Sequence, residues 1–227
     1  MICVAIAGAG RMGQAIAAGL EAFADMQLVG TWGRSDDLDA LVGDADVVVD
    51  FSLPEGTVEV LEAVQRHGKP LVCGVSGLSD EQMSLVDSAA GVVPLVYDRN
   101  MSLGVAVLKR SVSEAAATLG MDFDVAISEV HHVHKKDAPS GTALKLGEAV
   151  AAARGEEGTG TVEFRSERRG EVPGDHEVVM RSPTENLTFA HSVTTRQVFA
   201  DGAIRAARWV VGQPVGRYRM SDVLSGG

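Results

Sequence analysis

Short apolar runs alternate with longer amphipathic stretches through the first hundred residues of the chain. Ile2–Ala7, Leu28–Trp32, Val47–Phe51, Leu71–Cys73 and Val92–Tyr97 have strand length, and Val47–Phe51 is continuous and β-branched, as expected of a strand covered on both faces. Between them Gln14–Phe23, Thr57–His67 and Asp80–Ala89 read as helices. Val60, Leu61 and Val64 fall at helical spacing, Gly68 is a stop signal, and Ser79 is placed to cap the third of these helices. Strand, helix, strand, repeated, predicts a parallel sheet with right-handed crossovers, the doubly wound Rossmann-like α/β class.

The rhythm changes after about Asn100. Val105–Leu119 and Thr142–Arg154 read as helices flanking a strand at Phe123–Glu129. Val162–Arg165, Glu177–Arg181 and Leu187–Val193 then follow as β-like runs without long helices between them, and Arg154–Gly160 reads as an exposed loop. Strands in succession predict a second α+β domain with a mixed or largely antiparallel sheet. The helix at Gln197–Gly212 and the tail are expected to return to the first domain. The boundaries this suggests are 1–101 plus 203–227 for a dinucleotide-binding domain and 102–202 for a substrate-binding one.

Composition narrows the classes. Aromatics make up only 4 % of residues, so the core must be built from Val, Ala, Leu and Ile, which suits strands packed under helices. With 20 Lys and Arg against 31 Asp and Glu, the net charge of −11 repels phosphate backbones and argues against nucleic acid as a partner. It also requires any anionic ligand to find a local concentration of donors. Cys3 and Cys73 lie in strand-like runs without a Cys-x-x-Cys pair, which fits a reducing compartment. No membrane association is expected, since no uninterrupted apolar stretch approaches spanning length, and the opening apolar run lacks a basic leader and a cleavage site. The expected location is cytoplasmic.

Gly8-Ala9-Gly10-Arg11-Met12-Gly13 follows the first strand and opens the first helix. The first glycine permits the tight turn, the second lets backbone approach a pyrophosphate, and the third permits close helix–strand packing. Helix N-terminal amides then meet the phosphate charge. The pattern alone is weak, but its strand–turn–helix context makes it a dinucleotide fingerprint. Where an NAD-specific fold usually has Asp or Glu, at the end of the second strand, this chain has Gly33 and then Arg34. A guanidinium without an upstream carboxylate favours a 2′-phosphate, so NADPH is favoured over NADH, although Asp36 and Asp37 follow closely.

A second constellation runs from Glu129 to Ala143. His131, His132 and His134 are half of the six histidines in the chain; Lys135 and Lys136 follow, then Asp137-Ala138-Pro139-Ser140-Gly141-Thr142 leads into a helix. Histidine titrates near neutrality and is the usual general acid, and lysine supplies a compact charge for a carboxylate or a developing anion. Ser140, Gly141 and Thr142 at a helix start offer hydroxyls and free amides. Metal binding is disfavoured, because no further ligand set stands at the usual spacing. The bland alternative is a surface loop with capping residues.

This segment resembles the signature of the 4-hydroxy-tetrahydrodipicolinate reductases, Glu-x-His-His-x-x-Lys-x-Asp-Ala-Pro-Ser-Gly-Thr-Ala. Other pieces of that family stand in the same order: Gly10-Arg11-Met12-Gly13, Val49-Asp50-Phe51-Ser52, Gly74-Val75-Ser76-Gly77, Asn100-Met101-Ser102-Leu103-Gly104-Val105 and Phe199-Ala200-Asp201-Gly202-Ala203. The resemblance covers essentially the whole chain. It implies an enzyme that reduces 4-hydroxy-tetrahydrodipicolinate, a small dicarboxylate, to tetrahydrodipicolinate with NADPH or NADH, in lysine and diaminopimelate biosynthesis. By the same resemblance His131 is the general acid, Lys135 binds substrate and stabilises charge, and His132, Ser140, Gly141 and Thr142 hold the carboxylates. Gly74, Val75 and Ser76 and the segment Asp98, Arg99, Asn100 and Met101 flank the nicotinamide. The resemblance further implies that the second domain's sheet serves homotetramer assembly and that hydride passes in a cleft between the domains.

Three departures stand out. The glycine loop is one residue shorter than the common form, Gly33 replaces an often acidic residue, and Asp98-Arg99-Asn100 replaces a segment that is more often small and apolar. Two rival functions stay open at this level: a nicotinamide-dependent reductase of another small carboxylate, and a non-enzymatic NADP-responsive module. Cys73 reads as a buried structural thiol, and Ser76 does not sit in a hydrolase elbow. Arg165, Arg168 and Arg169 interleave with Glu163, Glu167 and Glu171, by default the pattern of a solvated strand or loop face, from which some of the arginines could still reach a substrate carboxylate.

Overall fold

The computed structural model describes residues 1–33 and 37–225, and the chain divides into two compact units, Met1–Leu103 with Gln197–Gly227, and Gly104–Arg196. The second division falls at 197 rather than 203 because Gln197–Val210 is one continuous helix, α7, which stays whole within the first unit.

In the first unit β1 (Ile2–Ala7), β2 (Met26–Trp32), β3 (Val47–Asp50), β4 (Leu71–Cys73), β5 (Pro94–Tyr97) and β10 (Gly216–Tyr218) form one parallel sheet in the order β10-β5-β4-β3-β1-β2. This bears out the doubly wound reading. Val4, Ile6 and Val47–Val49 are fully buried, and each such side chain contributes about 1.5–3 kcal/mol of transfer free energy. The crossover helices α1 (Arg11–Leu20), α3 (Pro54–His67) and α4 (Asp80–Ala90) are bounded by local chemistry. Pro54 opens α3, Gly68 closes it at φ +63°, and Ser79 and Gln82 form a reciprocal capping box on α4. The chain leaves β1 toward β2 on one side and later lays β3 on the other. The carboxyl ends of β1 and β3 therefore flank the switch point where such sheets bind ligands. The short elements α2 (Leu38–Gly43), β10 and α8 (Met220–Ser225) were not predicted, since none is a continuous apolar run and each is too short to show a helical period.

The second unit is a four-stranded mixed sheet in the order β7-β6-β8-β9. The strands are β6 (Asp124–His131), β7 (Glu163–Arg168), β8 (Asp175–Arg181) and β9 (Asn186–Ser192); β6 is parallel to β7 and antiparallel to β8. The helices α5 (Leu103–Leu119) and α6 (Gly141–Ala153) pack Leu108, Val112, Leu146 and Val150 against Val125, Ile127, Val178 and Met180. On this face the register aligns Phe164, Ile127, Val178 and Phe189 as an apolar row. Two residues along, the same face aligns Ser166, Glu129, His176 and His191, and the following row begins with Arg168 and His131. The polar rows therefore grow directly out of the core. No helix among the described residues is long and apolar enough to cross a membrane.

Candidate active site

In the first unit the anion cradle is made of backbone. Gly8 sits at φ +110°, and a Cβ there would lie 2.6 Å from the Phe51 carbonyl oxygen. A Cβ on Gly13 would overlap the Gly8 carbonyl, whereas one on Gly10 would meet nothing. Gly10 is the N-cap of α1 and supplies no side-chain cap, so the first-turn amides point to open space beside exposed Ala9 and Arg11. These features fit a dinucleotide diphosphate despite the shorter loop. Phe51 also lies over Gly74, where a Cβ would strike its ring.

Asp50 shapes this region from below. Its carboxylate accepts the Ser52 amide at 2.9 Å and lies 3.8 Å from the Cys73 thiol. Burial pushes Asp50 up against the hydrogen bonds that oppose it, and burial with the Asp50 charge pushes Cys73 well above the ordinary thiol range. Cys73 is thus an inert buried thiol.

Arg34 lies outside the described residues. Asp37 is occupied as the N-cap of α2, accepting the Ala40 amide at 3.1 Å. Met101 is only 1 % exposed and its carbonyl faces the Cα of Gly202, so its side chain belongs to the core of this unit. Val75 is likewise buried, whereas Ser76 and Arg99 are exposed. The unusual Asp98-Arg99-Asn100 is a turn. Asp98 accepts the Asn100 amide at 3.3 Å and Asn100 accepts the Ser102 amide at 2.9 Å, which accounts for the polar residues there.

In the second unit the donors are side chains. His131 ends β6 on the buried face, two residues beyond the expected end of that strand. Its Nδ1 is bonded to Oε2 of Glu129, which is 2 % exposed. Oε1 of Glu129 accepts from Arg168 Nη1 at 2.9 Å. Burial raises the Glu129 carboxyl, but hydrogen bonds from Ser166, His131 and Arg168 outweigh it and hold the carboxyl below its usual range. For His131, burial lowers the pKa and outweighs the opposing effect of Glu129, with the Lys135 and Arg168 charges adding to the depression. Arg168 donates as well to the carbonyls of Glu167 at 2.8 Å, Lys135 at 3.3 Å and Asp137. It is therefore a half-buried clamp and not a residue of a solvated face, a correction that follows from the parallel β6–β7 register. Lys135 itself pairs through Nζ with Asp137 at 2.8 Å.

Ser140 is 1 % exposed, its Oγ caps α6 by accepting the Ala143 amide at 3.2 Å, and it lies 3.1 Å from His176 Nε2. It thereby fixes the start of α6, where Gly141 and Thr142 stand. His132 is half-buried, with Arg196 Nη2 3.4 Å from its Nε2. His176 stands edge-on to His131 at 5.2 Å between ring centroids, and burial, reinforced by His131, lowers its pKa to about 4. Among the described residues no cluster of three or more His, Cys, Asp or Glu could hold a metal ion.

Sequence reasoning gave no role to Glu129, Arg168, His176 or Arg196. For Glu129 a signal existed: strand alternation places it on one face with Val125, Ile127 and His131. For the other three, the partners depend on register and loop course.

The chain matches the family models for the dihydrodipicolinate reductase N-terminus over residues 2–101 and C-terminus over residues 104–224. It is 41 % identical to the 4-hydroxy-tetrahydrodipicolinate reductase of Zymomonas mobilis, covering 96 % of this chain and 95 % of that protein. It is also 41 % identical to that of Caulobacter vibrioides, with 97 % and 96 % covered. Among solved structures, dipicolinate-bound dihydrodipicolinate reductase from Paenisporosarcina sp. TG-14 superposes with a TM-score of 0.84 at 25 % identity, covering 96 % of this chain and 97 % of that one. The chain belongs to the dihydrodipicolinate reductase family.

Proposed function

We propose that this chain reduces 4-hydroxy-tetrahydrodipicolinate to tetrahydrodipicolinate in lysine and diaminopimelate biosynthesis, with NADPH favoured over NADH. The substrate gains a hydride and a proton and loses water. The coenzyme, when bound, supplies the hydride; the backbone of Gly8–Gly13 would hold its diphosphate. Within the second unit His131 delivers the proton, Lys135 with Gly141 and Thr142 holds one carboxylate, and His132 with neighbouring Arg196 offers donors to the other. The observation that carries this reading is the pairing of His131 with buried Glu129 on the strand that runs into the Lys135 loop. It supports reading His131 as an acid and Lys135 as a carboxylate-binding cation within one short segment, inside a chain whose net charge of −11 otherwise repels a dianion. Support for assembly as a homotetramer comes from the sheet face opposite α5 and α6. Ala126, Ser128 and Val179 are only half-buried there, and Thr188 and Ala190 are exposed.

The test is oxidation of NADPH and NADH followed at 340 nm with freshly made synthase product. Wild type should turn over, and His131→Gln should lose roughly 10²-fold or more in kcat. A folded protein that binds coenzyme tightly yet turns over with neither one would leave only the nucleotide-binding fold.

A further inference from the structure

We propose that Glu129 and Arg168 are positioning residues that fix the tautomer and orientation of His131, one guanidinium tying the acid to the loop that carries Lys135. This rests on the reading of His131 as the proton donor. Glu129 occupies a place that strand alternation would fill with an apolar side chain, next after Val125 and Ile127 on the buried face. A carboxylate is tolerated there only if its oxygens are paired, and both are: Oε1 by Arg168 at 2.9 Å, Oε2 by His131 Nδ1. An ionised carboxylate only accepts, so the proton of this contact belongs to Nδ1. Nε2 is thereby left as the nitrogen that takes up and releases the transferred proton. Space beside Nε2 is kept open by Gly174 at φ +154°, where a Cβ would stand 2.9 Å away.

Arg168 is more than a counter-ion. Its remaining donors hold the Lys135 and Asp137 carbonyls, so the acid and the cation-bearing loop share one anchor. The charged and titratable groups acting on the ring are Glu129 on its own strand, Arg168 on β7, Lys135 in the loop and His176 on β8; His176 is neutral near pH 7. Glu129 is thus the one negative group among them, and it favours the protonated ring.

Two measurements test this. Nitrogen-detected histidine NMR of the whole protein, with His131→Gln for assignment, reads the tautomer without any turnover. The neutral ring of His131 should carry its proton on Nδ1. In Glu129→Gln, kcat should fall roughly 10- to 100-fold while KM for substrate stays nearly constant. Because the acid must be protonated to act, the high-pH limb of kcat/KM should move to lower pH, and Glu129→Asp should restore part of the loss. An Nε2-protonated ring in wild type, or a Glu129→Gln enzyme with an unmoved pH profile, would overturn the proposal. Wild type without turnover would instead remove the reductase reading, leaving the tautomer result to decide the Glu129 contact by itself.

Discussion

In the first unit the proposed anion cradle is built of backbone, at a turn where Gly8, Gly10 and Gly13 keep side chains away. In the second unit the proposed carboxylate site is built of side chains of the 132–139 loop and Arg196, with Glu129 and Arg168 of β6 and β7 ordering His131 behind them. The two constructions fail in different ways. A backbone cradle needs side chains to be absent and tolerates almost any neighbour that stays out of the way. A side-chain site needs particular partners for every buried polar atom, and each partner must arrive from a different strand. The first is a rule about spacing along the chain, and the second is a rule about register across a sheet.

The largest expected effect separates these modes with a single methyl group. In Gly13→Ala the new Cβ would overlap the Gly8 carbonyl, which is backbone and cannot step aside. Coenzyme affinity should fall by roughly 10²-fold or more, corresponding to about 3 kcal/mol of strain. In Gly174→Ala the Cβ meets the end of the His131 ring, and the backbone at φ +154° disfavours a side chain. There kcat should fall roughly tenfold or more while NADPH titration by fluorescence stays at the wild-type value. Equal losses of coenzyme affinity in both variants would break the separation.

Acid should act on the second unit before carboxylate chemistry enters. His176 has a folded-state pKa of about 4 against an ordinary 6.5, because it is buried. Below 6.5 the unfolded chain binds a proton that the folded chain refuses, so stability is intact above 6.5 and falls as the pH drops toward 4. The whole interval is worth about 3 kcal/mol. Glu129 has its carboxyl held below 4.5, so its own stabilising contribution is lost only at still lower pH. Thermal unfolding followed between pH 7 and 5 should show a steeper loss for wild type than for His176→Gln. Parallel curves would mean that His176 does not resist protonation in the folded state.

The same contrast explains what could be read from the residues alone. The parallel sheet, its helices and the glycine loop were legible, because periodicity and glycine spacing act locally, β1 and β4 are continuous apolar runs and β3 opens with three valines. The His131–Thr142 segment was legible as chemistry but not as geometry. Ser140 was legible at a helix start, but only the register of β8 reveals that His176 lies beside the hydroxyl that caps α6. Arg168 looked solvated because Glu167 and Arg169 beside it are, and nothing in a strand's own sequence says which strand it will lie against. The burial of Met101 was not legible either, because it depends on Gly202 in α7, far along the chain, bringing a helix against its carbonyl.

The smallest expected effect concerns Lys135, whose Nζ is paired with Asp137 at 2.8 Å while the Asp137 side chain is 57 % exposed. The Lys135 hydrogen bond holds the Asp137 carboxyl below its usual range, so it is charged at neutral pH and competes with any substrate carboxylate for the same ammonium. An exposed pair of this kind is worth at most about 1 kcal/mol, which bounds the competition at roughly fivefold. Asp137→Asn should therefore lower KM by up to about fivefold with kcat nearly unchanged. The effect should shrink at high salt, because screening already weakens the pair that the substitution removes. A higher KM would show instead that Asp137 holds Lys135 in its binding pose. The second unit would then depend on partner side chains even at its exposed rim, extending the contrast with the backbone cradle of the first.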